Sequence, residues 1–207
     1  MRTIKKVASH IFIDGFGGMT QGLFATLIIG TMIQQIGLLI GSSTGNVIYL
    51  LGKAAAALTS AGIGVGVAVK YGESPLVTVS AAVAAMVGGY AGKITGGTFF
   101  VDGNAVLAGP GEPLGAFIAA FAGITCGHLV SGKTKVDIIV TPVITIGAGS
   151  VVGLLVGPPI SQMMTGLGSI INWATEQRPF IMGIVVSVVM GMVLTLPISS
   201  AAVGIIL

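Results

Sequence analysis

The sequence predicts an all-α, polytopic helical membrane protein of about six spans, with a broken re-entrant-like segment and an amphipathic interfacial helix. Three observations carry this. Only 7% of the 207 residues are charged, nine basic and six acidic, against roughly 25% in soluble domains. Hydrophobic residues make up 54%, and the mean hydropathy is +1.05. The apolar residues fall in continuous runs, without the alternation that marks a membrane β-barrel. So few charges cannot cover the surface of a soluble domain this size. Disorder is excluded by the high hydrophobicity, and collagen by the lack of a three-residue glycine period. The net charge of +3 is too small to be a nucleic-acid footprint. Cys126 is the only cysteine, which rules out an intrachain disulfide and a thiolate metal site.

A bilayer core takes about 20 helical residues, and six segments qualify. They are Gly15–Ile40, interrupted by Gln34-Gln35; Val47–Val69, with Lys53 inside; Leu76–Gly92; Leu114–Val130; Ile138–Val156; and Phe180–Leu207. The basic start at Arg2, Lys5 and Lys6 looks like the n-region of a signal peptide. The apolar run that follows has no A-x-A site leading into polar sequence, so it reads as a first span. With the N-terminus in the cytoplasm, Lys70, Lys133 and Lys135 join those three on the cytoplasmic side. Lys93 and Arg178 fall outside, which satisfies the positive-inside rule. The run Gly183–Leu207 stays apolar to its last residue. Residues 1–207 are therefore expected to be one transmembrane domain, the N-terminal part of a longer permease.

Glycine numbers 34 and recurs at spacing i, i+4, as in Gly37/Gly41/Gly45, Gly88/Gly92/Gly96 and Gly149/Gly153/Gly157. Small residues at that spacing let helix backbones approach closely in a bilayer, so these ladders are expected to be helix seams. Gly62-x-Gly64-x-Gly66 lies inside a span and is not a dinucleotide fingerprint. The stretch from Gly96 to Pro113 has too many glycines, prolines and turn residues for a regular helix, yet it carries Phe99, Phe100, Val101, Val106 and Leu107. It is either an external loop or an irregular segment buried at membrane depth, where transporters place substrate sites.

Scarce charges make each one informative. Asp14 fits a helix start at the interface, and Lys53 either snorkels or pairs within the bundle. Asp102, Asn104 and Glu112 lie close together in the broken stretch. Carboxylates and amides bind hydroxyl-rich solutes through paired donors and acceptors. Thr95 and Thr98 are neighbours that could assist. The segment from Pro158 to Arg178 places Ile160, Met163, Met164, Leu167, Ile170, Ile171 and Ala174 at helical spacing, with Trp173 suited to an interface belt. There, Glu176 either pairs with Arg178 or faces a substrate. His128 is a weaker binding candidate, since a lone histidine is more often structural.

Two runs resemble a known family: Trp173-Ala174-Thr175-Glu176-Gln177-Arg178-Pro179-Phe180-Ile181-Met182-Gly183, and Val189-Met190-Gly191-Met192-Val193-Leu194-Thr195-Leu196-Pro197-Ile198-Ser199-Ser200-Ala201-Ala202. They resemble stand-alone membrane IIC components of the bacterial sugar phosphotransferase system, in the subgroup that includes the perfringolysin regulator. Phe12-Ile13-Asp14-Gly15, Gly22-Leu23-Phe24-Ala25-Thr26-Leu27-Ile28 and the stretch from Asp102 to Gly115 look similar too. The resemblance implies a bacterial inner-membrane permease, usually a homodimer, holding a sugar-like ligand among broken helices. It also implies phosphotransferase partner subunits, although nothing here looks like a phosphotransfer domain. The expectation is a IIC-like permease that binds and translocates a small polar, sugar-like solute by alternating access. Its alternative is a membrane sensor that binds a ligand and signals without transport. There is no P-loop, no paired metal-ligand motif and no nucleophile elbow, so no enzyme activity, cofactor, metal or nucleic-acid partner is expected.

Overall fold

A computed structural model describes residues 14–101, 103–107 and 109–175, together with 182–184, 186–188 and 191. Helix α1 (Phe16–Leu23) runs through a π-helical turn, Phe24–Ile28, into α2 (Ile29–Ile40). Together they form a 25-residue apolar span, continuous through Gln34 and Gln35. Gly41 ends it at φ +61, a conformation glycine adopts without strain. Ser42 then caps α3 (Ser43–Ala57) by accepting a hydrogen bond from the Gly45 N–H at 3.3 Å.

The second predicted span is broken. α3 and α4 (Thr59–Lys70) meet at Leu58 with a bend of 53°. The third is shorter than expected. α5 (Pro75–Gly89) has 15 residues, and Tyr90 separates it from the short α6 (Ala91–Thr95). At 1.5 Å per residue α5 extends about 22 Å, less than a bilayer core. A two-stranded antiparallel hairpin follows, β1 (Phe100–Val101) with β2 (Asn104–Ala105), in the register Phe100↔Ala105. α7 (Pro113–Val130) is the fourth span, started by Pro113 in its first turn.

The largest departure from the sequence reading is α8 (Asp137–Thr175). It is one helix of 39 residues that continues through Pro158 and Pro159. The predicted fifth span and the predicted interfacial helix are thus a single element of about 58 Å. Each proline removes one hydrogen-bond donor, but membrane helices absorb such breaks where neighbours hold the axis. Here Gly153 and Gly157 press against Gly88 and Ala91 on one side of the prolines, and Ser161 meets Gly92 on the other. The predicted sixth span lies mostly outside the described residues. Among the described residues three helices are long and apolar enough to cross a membrane, or four if the bent pair counts as one span.

Helix α1 packs on α4, α2 on α3, and α5, α7 and α8 pack mutually. The core comprises Met19, Leu23 and Leu27 of the first helix, Ile63 and Val67 of α4, Val77 and Ala81 of α5, and Phe117, Ala120 and Ile124 of α7. The turn after α4 and the turn after α7 lie together: Ser74 and Ser131 share a hydrogen bond of 2.9 Å, and Glu73 meets His128. Asp14 is also at this end. Its carboxylate, together with burial as the larger cause, pushes the Tyr71 phenol up to about 12. The loops carrying Lys70 and Lys133, assigned to one side from charge alone, therefore share one end of the bundle. Lys53 is exposed on α3, without an ion pair among the described residues.

Candidate functional site

The polar chemistry converges at the other end, where two helices break. The break at Leu58 leaves Ala57 at the end of α3 and places Thr59 and Ser60 in the first turn of α4. Both hydroxyls are fully buried. The break at Tyr90 leaves the Gly89 carbonyl at the end of α5. The loop Gly109-Pro110-Gly111-Glu112 lies across both. Ser60 Oγ donates to the Pro110 carbonyl at 3.0 Å, the Glu112 N–H donates to the Gly89 carbonyl at 2.6 Å, and the Tyr90 hydroxyl donates to the Gly109 carbonyl. Gly111 sits at φ +75, and a Cβ there would lie 2.5 Å from Ser60 Oγ and 3.2 Å from both the Gly89 oxygen and Tyr90 Cε2. Only glycine fits both the dihedral and the space.

Glu112 is the N-cap of α7, with Oε1 accepting from the Leu114 N–H at 3.4 Å. A carboxylate at a helix N-terminus is favoured by the peptide dipoles. Burial nevertheless dominates and pushes this carboxyl up to about 7, against the smaller opposing effect of the Leu114 hydrogen bond. A half-buried carboxyl with a single long hydrogen bond retains acceptor capacity for a solute.

The other predicted site residues distribute unevenly. Asn104 is exposed on β2, on the hairpin that leads to the same loop. Asp102 and Glu176 lie outside the described residues. The Thr95 and Thr98 hydroxyls turn back onto their own backbone, at Ala91 and Lys93. His128 does not join Glu112. It lies 16 residues along α7, about 24 Å away by helical rise, with Nδ1 3.0 Å from Glu73 Oε1. Sequence reasoning missed Tyr90, Thr59 and Ser60 because it read each surrounding apolar run as one uninterrupted span. The available signals were a hydroxyl pair in mid-span and a tyrosine directly after Gly88-Gly89.

The family model described as "Phosphotransferase system, EIIC" matches residues 13–207. The chain belongs to this family. An EIIC component is the membrane transport part of the phosphotransferase system, distinct from its phosphotransfer domains, and the apolar helices of this EIIC make it a multi-pass membrane protein. No curated protein and no solved structure matches this EIIC chain.

The Glu73–His128 pair of this EIIC gives a separate prediction. The histidine side chain is 70% exposed and the glutamate 9%. Exposed ion pairs contribute about 0–1 kcal/mol, and removing the imidazole strands a mostly buried carboxylate. His128→Ala is expected to lower thermal stability by about 1 kcal/mol and to leave solute affinity unchanged. A thermal melt in detergent and a binding isotherm measure the two effects. A tenfold loss of affinity would tie His128 to the site.

Proposed function

We propose that this EIIC chain is a permease core that binds a small polar, sugar-like solute beside Glu112 and translocates it by alternating access. One observation carries the reading: the carboxylate-bearing loop is fastened where two helices break, so a group able to hold hydroxyls sits on backbone able to bend. Discontinuous helices place substrate sites in many transporters for this reason. Glu112 accepts hydrogen bonds from solute hydroxyls, and Asn104 lines the approach. Asp102 and Glu176 are proposed as further contacts. The bent pair α3–α4 moves against the glycine-packed helices α5, α7 and α8.

The proposed setting is the bacterial inner membrane with the N-terminus cytoplasmic. Three basic loops then face the cytoplasm, and phosphotransferase subunits dock there. The working unit is proposed to be a homodimer. Reconstitution tests the function: proteoliposomes are offered radiolabelled hexoses, pentoses and polyols. Saturable uptake of at least one is expected, and the absence of uptake and binding across the set would overturn the reading.

A pH dependence follows from the Glu112 carboxyl. Because it is held above its ordinary value of 4.5, the folded state binds the proton more tightly than the unfolded chain. Stability without solute is therefore full below the ordinary value and declines as pH rises through about 7. The ionised acceptor forms over the same interval, so affinity for a hydroxyl-rich solute is expected to rise from pH 6 to pH 8. Melts and isotherms across that range check both trends, and Glu112→Gln should flatten each.

A further inference from the structure

We propose that Tyr90 is a positioning residue for Glu112, and that its hydroxyl couples the Glu112 loop to the bend of the second span. The inference rests on the reading of Glu112 as the solute-holding group and adds how its place is set. Tyr90 is 1% exposed. It is the residue at which α5 gives way to α6, and its φ of −104 and ψ of 9 leave the helical range there. Its ring is held by Phe99, at a centroid distance of 5.4 Å, and by Lys93, whose Nζ lies 5.4 Å above it. The ring is fixed, so the hydroxyl is delivered to one place.

At that place are two acceptors. One is the Gly109 carbonyl, at the start of the loop that ends in Glu112. The other is the Ala57 carbonyl, at 3.3 Å, the last residue of α3 before the break. A phenol carries one proton, so the two carbonyls compete for it. The nearer Gly109 holds it here. When the loop withdraws, the proton turns to Ala57, whose carbonyl is otherwise short of its partner at the broken end. Holding the Glu112 loop and bonding at the bend are then exclusive arrangements of one hydroxyl, which is the kind of two-state element that coupling between distant parts requires. Ser60 and Gly89 hold the loop as well, but neither contact reaches α3.

Tyr90→Phe removes the oxygen and keeps the ring against Phe99 and Lys93. Amide hydrogen exchange on the full chain in nanodiscs needs no solute. The variant is expected to raise exchange about tenfold both in the segment 109–114 and in the segment 57–62, with α7 and α8 elsewhere unchanged. Phe99→Leu, which loosens the ring's surroundings but spares the hydroxyl, should raise neither by more than twofold. Unchanged exchange in either segment of Tyr90→Phe overturns the coupling. In uptake of a radiolabelled hexose the variant should raise KM about tenfold with the maximal rate within twofold, and an unchanged KM overturns the positioning of Glu112. Failure of the wild-type chain to take up or bind any sugar defeats the reading of the site itself, a result the exchange experiment distinguishes because it is measured without sugar.

Discussion

Gly22→Val is expected to prevent α1 and α4 from packing and to leave the purified chain aggregated or unfolded. A Cβ on Gly22 would lie 2.2 Å from the Gly62 carbonyl oxygen, 2.5 Å from its carbon and 2.7 Å from the Ile63 nitrogen. All three are backbone atoms, which cannot rotate away. The seam is glycine on both sides, since Gly18 meets Gly66 in the same manner, 2.5 Å from its oxygen. Relief would have to come from moving the whole of α1 outward, taking Met19, Leu23 and Leu27 out of the core. Overpacking in a rigid interior costs about 1–3 kcal/mol and sometimes more. Between membrane helices the loss is not offset by a hydrophobic drive, because close packing itself holds them. Size-exclusion profiles and thermal melts in detergent measure the effect. Gly147→Ala is the control: a Cβ there meets nothing within 4 Å, and alanine gains helix propensity of about 0.8–1 kcal/mol. A Gly22→Val protein as monodisperse and stable as Gly147→Ala would refute the seam.

These seams show how far the sequence was readable. The ladder Gly149/Gly153/Gly157 presses on Gly123, Gly88 and Ala91, as its spacing predicts. Gly37 and Gly45 face each other across α2 and α3, but Gly41 between them ends the helix at positive φ. Spacing alone cannot separate a seam from a turn when both need the same residue. Gly62-x-Gly64-x-Gly66 is a seam on two sides, with Gly62 and Gly66 against α1 and Gly64 against Ala81 of α5. Helix existence was legible because apolar runs are long. The breaks at Leu58 and Tyr90 were not, because apolar residues tolerate either conformation and the bonds that hold a break are tertiary. Ser60 reaches Pro110 across 50 residues of chain. The merger at Pro158-Pro159 was not legible for a related reason: proline predicts an end to a helix unless neighbours hold its axis, and those neighbours come from α5 and α6. Of the candidate site, the carboxylate and its irregular loop were visible, while the tyrosine and serine that fasten them were not.

Glu112→Gln is expected to cost the protein most of its solute affinity while leaving the fold in place. The side chain's structural duty is small. It accepts one bond of 3.4 Å from the Leu114 N–H, and a glutamine oxygen can accept the same bond. The loop is fixed by the backbone N–H of residue 112 on Gly89, by Ser60 on Pro110 and by Tyr90 on Gly109, none of which the substitution touches. Removing a carboxyl held up at about 7 by burial relieves a desolvation penalty, so the melting temperature above neutral pH should hold or rise. Binding behaves oppositely. Hydrogen bonds to a charged acceptor contribute about 1.5–3 kcal/mol, and 1.4 kcal/mol is a factor of about ten. One lost charged bond therefore predicts an affinity roughly 10- to 150-fold weaker. Isothermal titration of the wild type and the variant at pH 8, each with its own melt, reads both quantities. Stability retained with affinity lost is the signature of a group kept for the solute. Equal affinity would move the binding site away from the helix breaks, and a collapse in stability would reduce Glu112 to a cap of α7.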